Sequence, residues 1–166
     1  MLNLKRKAML LGTLLALSSG ELLAADAETQ AQLDALKAAI PKFAIPMREV
    51  GDRFQNMYFA ANKSNWALAA YMSKYMNGAM NPAALTKAAE YKVWKSFYEN
   101  NFAEVNKAIQ GKDLNAFNKS YAAVVADCNN CHKAMEYGFI QVVKQTAPAD
   151  QGIDYTVKSE PGDVPK

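Results

Sequence analysis

Histidine and cysteine are scarce in this 166-residue chain: there is one histidine and there are two cysteines. That count excludes a structural zinc site built from four Cys and His ligands, and it leaves room for no more than one disulfide. Long apolar runs are also missing. The one extended apolar stretch, from Ala8 to Leu17, falls well short of the roughly 20 residues that cross a bilayer. Ser18-Ser19-Gly20-Glu21 then interrupts it. No alternating strand pattern is apparent, and there is no internal repeat. Nor is there an excess of charge of one sign. The full chain is +3, and without residues 1–25, which carry three Lys/Arg and one Glu, it is +1. Such a balance gives no basic field for nucleic acid and no patch for a membrane surface.

The two cysteines and the histidine lie together, in Cys128-Asn129-Asn130-Cys131-His132. Cys-x-x-Cys-His is the attachment signature of a c-type haem. Two thiols form thioethers with the haem vinyl groups, and the adjacent imidazole becomes the proximal iron ligand. On a helix, positions 128, 131 and 132 share one face. A thioredoxin-type redox pair would want a βαβ setting, which this stretch lacks. The expected cofactor is therefore one covalent haem c, held by Cys128, Cys131 and His132.

The N-terminus reads as a secretory signal over residues 1–25. Lys5, Arg6 and Lys7 form its basic start, Ala8 to Leu17 its apolar centre, and Ala24, Ala25 and Ala27 offer small residues for cleavage. No cysteine sits near the cut, which argues against a lipoprotein. Export agrees with the haem motif and points to the periplasm, with no stable membrane insertion after cleavage. The remaining chain of roughly 140 residues suits one domain with a real core.

The remainder is patterned as helices. A first segment, 28–40, carries Leu33, Leu36 and Ile40 on one face. A second, 46–61, places Met47, Val50, Phe54, Met57 and Ala61 at steps of three and four, with Pro46 in its first turn, where a missing N–H costs nothing. Ser64 is the expected cap of a third, with Trp66, Ala69, Met72 and Met76 inward. Asn81-Pro82 predicts a helix start, and the helix is expected to run to about 110, burying Leu85, Ala89, Trp94, Phe97, Val105 and Ile109. Asp113 is the expected cap of the last helix. Its inward line is Leu114, Phe117, Tyr121, Val124, Cys128, Cys131, Met135 and Phe139, so the haem cysteines fall on the core-facing stripe. Short loops imply antiparallel neighbours, hence an all-α, up-down four-helix bundle over residues 26–144 with the haem near the end of the C-terminal helix. Residues 145–166, rich in Pro, Gly, Asp and Lys, are expected as an extended or disordered tail.

Taken together, Cys128, Cys131 and His132 on the last helix of a four-helix chain with an export signal resemble the class II, cytochrome c-prime-like, c-type cytochromes. A closer likeness, to a group of bacterial monohaem cytochromes of this architecture, rests on Met57-Tyr58-Phe59-Ala60, on Asn65-Trp66-Ala67-Leu68-Ala69, and on Gly138-Phe139-Ile140-Gln141-Val142-Val143 followed by Thr146-Ala147-Pro148. It covers most of the chain beyond the signal. The resemblance implies a His proximal ligand and a sixth position that some members leave open and others fill with Met. In the family the first major helix packs against the haem helix, which brings Met47 and Met57 forward. Met47 is the favoured ligand, because in an up-down bundle the start of the first helix lies beside the end of the last; Met57 and an open site are the alternatives. Met135, three residues past His132, belongs to the proximal side. The expected haem surroundings are Val50, Phe54, Met57, Tyr58, Tyr121 and Met135.

A filled position implies an electron carrier with a transient redox partner protein. An open one implies binding of a small gas such as NO or CO. With no catalytic constellation in the sequence, neither reading is of an enzyme. A homodimer through the first two helices is a further implication of the family.

Overall fold

The computed structural model describes residues 26–165. The expected signal segment, 1–25, lies outside the described residues. Residues 26–39 are helical (α1) and belong to a compact unit that ends at Ile40. Within it Leu33 and Leu36 are exposed. A second compact unit begins at Pro41 and holds everything that follows, including the segment after residue 144.

Five α-helices of nine residues or more and a single-turn helix make up the second unit. α2 spans Ala44–Asn62. Its Val50, Phe54, Met57 and Ala61 are buried at the expected spacing, and Arg48–Asp52 and Glu49–Arg53 pair across single turns of its outer face. α3 spans Trp66–Ala79 and buries Trp66, Ala69, Met72 and Met76. Its cap is Asn65, whose Oδ1 accepts the Leu68 N–H at 3.2 Å, and not the expected Ser64. Ser64 instead takes a left-handed conformation (φ 63°) that turns the chain between the two helices.

The single helix expected from Pro82 to about residue 110 is three pieces: α4 (Ala83–Thr86), α5 (Ala88–Asn101) and α6 (Ala103–Gly111). Lys87 leaves helical geometry (φ −148°, ψ 60°) and makes the first break. Phe102 makes the second and is itself fully buried. Asn81 caps nothing with its side chain, which accepts a hydrogen bond from the Tyr91 hydroxyl. Because α4 is set off by the bend at Lys87, Leu85 is 68% exposed where burial was expected; Ala89, expected buried, is exposed in the first turn of α5. Trp94, Val105 and Ile109 are buried as the pattern demands.

α7 spans Leu114–Ala134, and Asp113 caps it through the Ala116 N–H at 2.9 Å. Phe117, Tyr121 and Val124 are buried. The inward line is shorter than expected at both ends: Leu114, in the first turn, is exposed, and Phe139, beyond the last turn, is 81% exposed. Among the described residues the regular structure is helical, apart from one isolated bridge between Asn65 and Ser159.

α2 packs along α3, α3 against α6, α6 against α7, and α7 against α2, with α5 beside α6. Buried aromatic and sulfur side chains fill the interior, each contributing about 1.5–3 kcal/mol on transfer from water. The polar groups that enter the core are tied across helices. Ser73 on α3 meets the Tyr98 hydroxyl at 2.9 Å and donates to Asn106 at 2.5 Å, while Trp94 donates to Asn77. None of the buried side-chain N and O atoms described lacks a partner.

Residues 145–165 take an extended course fastened to the helices. The Gln55 amide donates to the Ala147 carbonyl, and Asn56 accepts the Asp150 N–H at 3.0 Å. Tyr155 is buried beside Phe59. Ser159 donates to Asn65 at 2.6 Å, and Lys112 pairs with Glu160 at 2.6 Å. A 3-10 turn at Pro161–Asp163 lies against α3.

Candidate functional site

Cys128, Cys131 and His132 occupy the last two turns of α7. Both cysteines are free thiols and half-buried. Burial is the main reason that the Cys128 thiol is pushed up to about 12, with the neighbouring Cys131 and Asp127 adding to it. Cys131 is also raised, by burial. A redox-active pair keeps a low-pKa thiolate, usually at a helix N-terminus. These thiols sit at the opposite, electronegative end of a helix and are held neutral.

His132 is half-buried, and its Nδ1 lies 2.9 Å from the Ile140 carbonyl. A carbonyl can only accept, so Nδ1 carries the proton in this bond. Nε2 has no hydrogen-bond partner among the described residues and is the nitrogen left for a metal. An outer hydrogen bond of this kind is how ligating histidines are oriented and made more basic. Among the described residues, no three His, Cys, Asp or Glu side chains converge as ligands of a bare ion. Thioether attachment does not require them to. The donor set, two neutral thiols one turn apart and an imidazole with only Nε2 free, fits a covalently held haem.

The chain turns back sharply after α7. Glu136 adopts a left-handed conformation (φ 66°); the Tyr137 N–H reaches the His132 carbonyl at 2.7 Å and the Glu136 N–H reaches the Lys133 carbonyl. This is a Schellman closure with a non-glycine at its left-handed position. The returning segment then runs antiparallel to α7: Ile140 meets His132, and Val142 meets Asn129. Tyr137, Phe139, Ile140 and Val143 are exposed along it, an apolar fringe beside the attachment residues.

On the other flank, Tyr121 stacks on Phe54 of α2, with ring centroids 4.2 Å apart and planes 8° from parallel. Tyr58 lies 5.0 Å from Tyr121 and carries Lys144 over its ring at 4.5 Å. Burial, followed by Cys128 and Tyr58, holds the Tyr121 phenol well above its ordinary value. Nearer the other end of this helix pair, Asn62 and Asn118 exchange two hydrogen bonds. Numbers fall along α2 as they rise along α7, so the two helices are antiparallel.

This register sorts the expected site residues. Met47 lies seven residues before Phe54, and Cys128 seven after Tyr121, so both stand about 10 Å along the helices from the stacked pair. Both are half-buried and pack on the core. Val50 lies between Met47 and Phe54 and is buried. Met57 is fully buried one turn beyond Phe54, farther from the Cys128 level than Met47. Phe54, Tyr58 and Tyr121 come together as one aromatic cluster two turns from Cys128. Met135 is the half-buried C-cap of α7.

Sequence reasoning missed Asn129, Ile140 and Val142, which frame the histidine. An asparagine inside the motif carries no signal that it will bind backbone, and a carbonyl carries no side-chain signal at all. Comparison with protein-family models, curated proteins and solved structures finds no match. No described helix is long and apolar enough to cross a membrane.

Proposed function

We propose that this chain is a class II, cytochrome c-prime-like monohaem cytochrome: an exported, periplasmic up-down four-helix bundle that carries single electrons. The observation that carries the reading is the Cys128–Cys131–His132 constellation on one helix end, with Nδ1 of His132 engaged and Nε2 free. The pairwise packing of α2, α3, the α5–α6 column and α7 supports the bundle. In this reading Cys128 and Cys131 would hold the haem as thioethers, and His132 and Met47, the latter in the first turn of α2, would be its iron ligands. The haem would supply one-electron exchange. A thioether ligand favours the reduced iron and raises the potential. In this reading the buried Phe54–Tyr121 stack forms the apolar wall behind the site. The exposed fringe at Tyr137–Val143 offers a transient redox partner an apolar contact beside the motif. Exposed Tyr71 and Tyr75 on α3 offer a surface for the homodimer that the family resemblance implies.

A second reading has an observation in its favour. α2 begins without a side-chain cap, and Met47 sits in that uncapped first turn only half-buried. A ligand on a helix end held this loosely is displaceable, and the site would then bind a neutral diatomic gas such as NO or CO.

Visible spectra of the protein made in a haem-attaching host, oxidised and reduced, before and after carbon monoxide, test both. A low-spin spectrum with a sulfur-to-iron charge-transfer band and no prompt response to gas supports Met ligation and electron transfer. A high-spin spectrum that shifts at once with gas supports the gas-binding reading. Absence of covalent haem refutes both.

A further inference from the structure

Asn129, inside the motif, uses one side-chain amide to hold both backbone groups of a single residue. Its Oδ1 accepts the Val142 N–H at 2.7 Å and its Nδ2 donates to the Val142 carbonyl at 3.0 Å. Two residues earlier, the Ile140 carbonyl meets His132 Nδ1 at 2.9 Å. Asn129 and His132 are three apart, on one face of α7. The returning segment therefore touches that face at two points, and Asn129 makes the stronger of them.

Beyond the Schellman closure at Glu136 and Tyr137, which fastens its start, little else holds the segment there. Phe139, Ile140 and Val143 are exposed, so apolar burial contributes only through half-buried Val142. The Ile140 N–H to Tyr137 carbonyl bond and the Gln141 side chain to Gly138 carbonyl bond are internal to the segment and do not tie it to α7. Beyond Val142 the next ties to a helix are the Lys144 ammonium over the Tyr58 ring at 4.5 Å and the Ala147 carbonyl, bound by Gln55.

We infer that Asn129 is a positioning residue: by pinning Val142 it holds the Ile140 carbonyl on Nδ1 of His132, which fixes the tautomer that leaves Nε2 free for iron. The inference rests on the reading of His132 as the proximal ligand. A free imidazole favours the proton on Nε2, so the structure has to select the other form. A firm Nδ1–H···O bond also makes the ligand more electron-donating, which favours ferric iron. Loosening it moves the reduction potential in the positive direction.

His132 is the sole histidine in the chain, so ¹⁵N-labelled histidine gives an unambiguous signal. In the haem-free full chain, at a pH about two units above the ordinary imidazole value, the Nδ1–H tautomer is expected to dominate. Asn129→Ala should shift the ring to mainly Nε2–H. Asn129→Asp keeps an acceptor for the Val142 N–H but loses the donor, and should fall between the two. Asn130→Ala, at an exposed neighbouring position, should change nothing. In the haem-loaded protein, Asn129→Ala should have a more positive midpoint potential than Asn130→Ala. An unchanged tautomer and potential in both Asn129 variants would overturn the inference while leaving the proposed function intact. Failure of the wild-type chain to take up haem would instead refute the proposed function, and the tautomer measurement would still decide what Asn129 does.

Discussion

Replacing Tyr155 with alanine should destabilise the protein by about 3 kcal/mol, the lower end of the range for truncating a buried aromatic. The ring is 8% exposed and meets Phe59 edge-on, with centroids 6.4 Å apart. Its hydroxyl donates to the Asp150 carbonyl at 2.9 Å. Tyr155→Phe removes only that hydrogen bond. Because Asp150 is exposed, water replaces the donor, and the cost should be about 0.5–1 kcal/mol. At about 3 °C per kcal/mol for a chain of this size, the alanine variant should melt on the order of 9 °C lower and the phenylalanine variant about 2 °C lower. Urea titration followed by tryptophan fluorescence suits the measurement, since Trp66 and Trp94 are both buried. The midpoint should fall with the slope little changed. If both variants stay within about 0.5 kcal/mol of wild type, the segment after residue 145 is not fastened in solution, and its contacts with Asn56 and Asn65 contribute nothing.

Phe54→Ala should cost about 3–5 kcal/mol, because it removes one half of the stack with Tyr121 and the edge contact with Phe102; the same urea titration reads it. On the proposed reading, Met47→Leu in the haem-loaded protein should abolish the sulfur-to-iron band, lower the potential and admit carbon monoxide promptly, whereas Met57→Leu should do none of these. An unchanged spectrum in Met47→Leu would remove Met47 from the iron. Tyr155 is pushed up to about 12, chiefly by burial and then by Asp150, so the folded state holds its proton more tightly than the unfolded state. The stability this contributes is complete below pH 10 and is lost as pH rises from 10 to 12. Alkaline melts should show that loss in wild type and a smaller one in Tyr155→Phe.

The long elements were legible because their apolar steps match a helical period. α2 was expected at 46–61 and runs Ala44–Asn62; Asp113 was expected to cap α7 and does. The break at Phe102 was invisible for the same reason. Trp94, Tyr98, Phe102, Val105 and Ile109 continue the three-and-four spacing straight across it, so periodicity cannot distinguish one helix from two that share a stripe. Leu85 misled because a leucine in phase reads as buried whether or not its turn is set off by a bend, as Lys87 sets off α4. The motif residues of the candidate site could be read directly, since their chemistry is in their side chains. The frame around His132 could not, because it consists of a carbonyl and of an asparagine binding backbone. The tail's composition suggested weak structure; its fastening depends on Asn56 and Asn65, whose partners lie about ninety residues away.

That separation orders the assembly of the molecule. α2 and α3 pair across a three-residue turn and can associate as soon as both exist. The outer flank of α2 must wait for residues 147–159, about ninety residues further along the chain, and closing so long a loop is slow compared with forming a local hairpin. Helix packing therefore comes first and the strap last. A chain cut between residues 144 and 147 would possess α1 to α7 and its cysteine motif but would lack the clasp that fastens residues 147–159 to Gln55, Asn56 and Asn65.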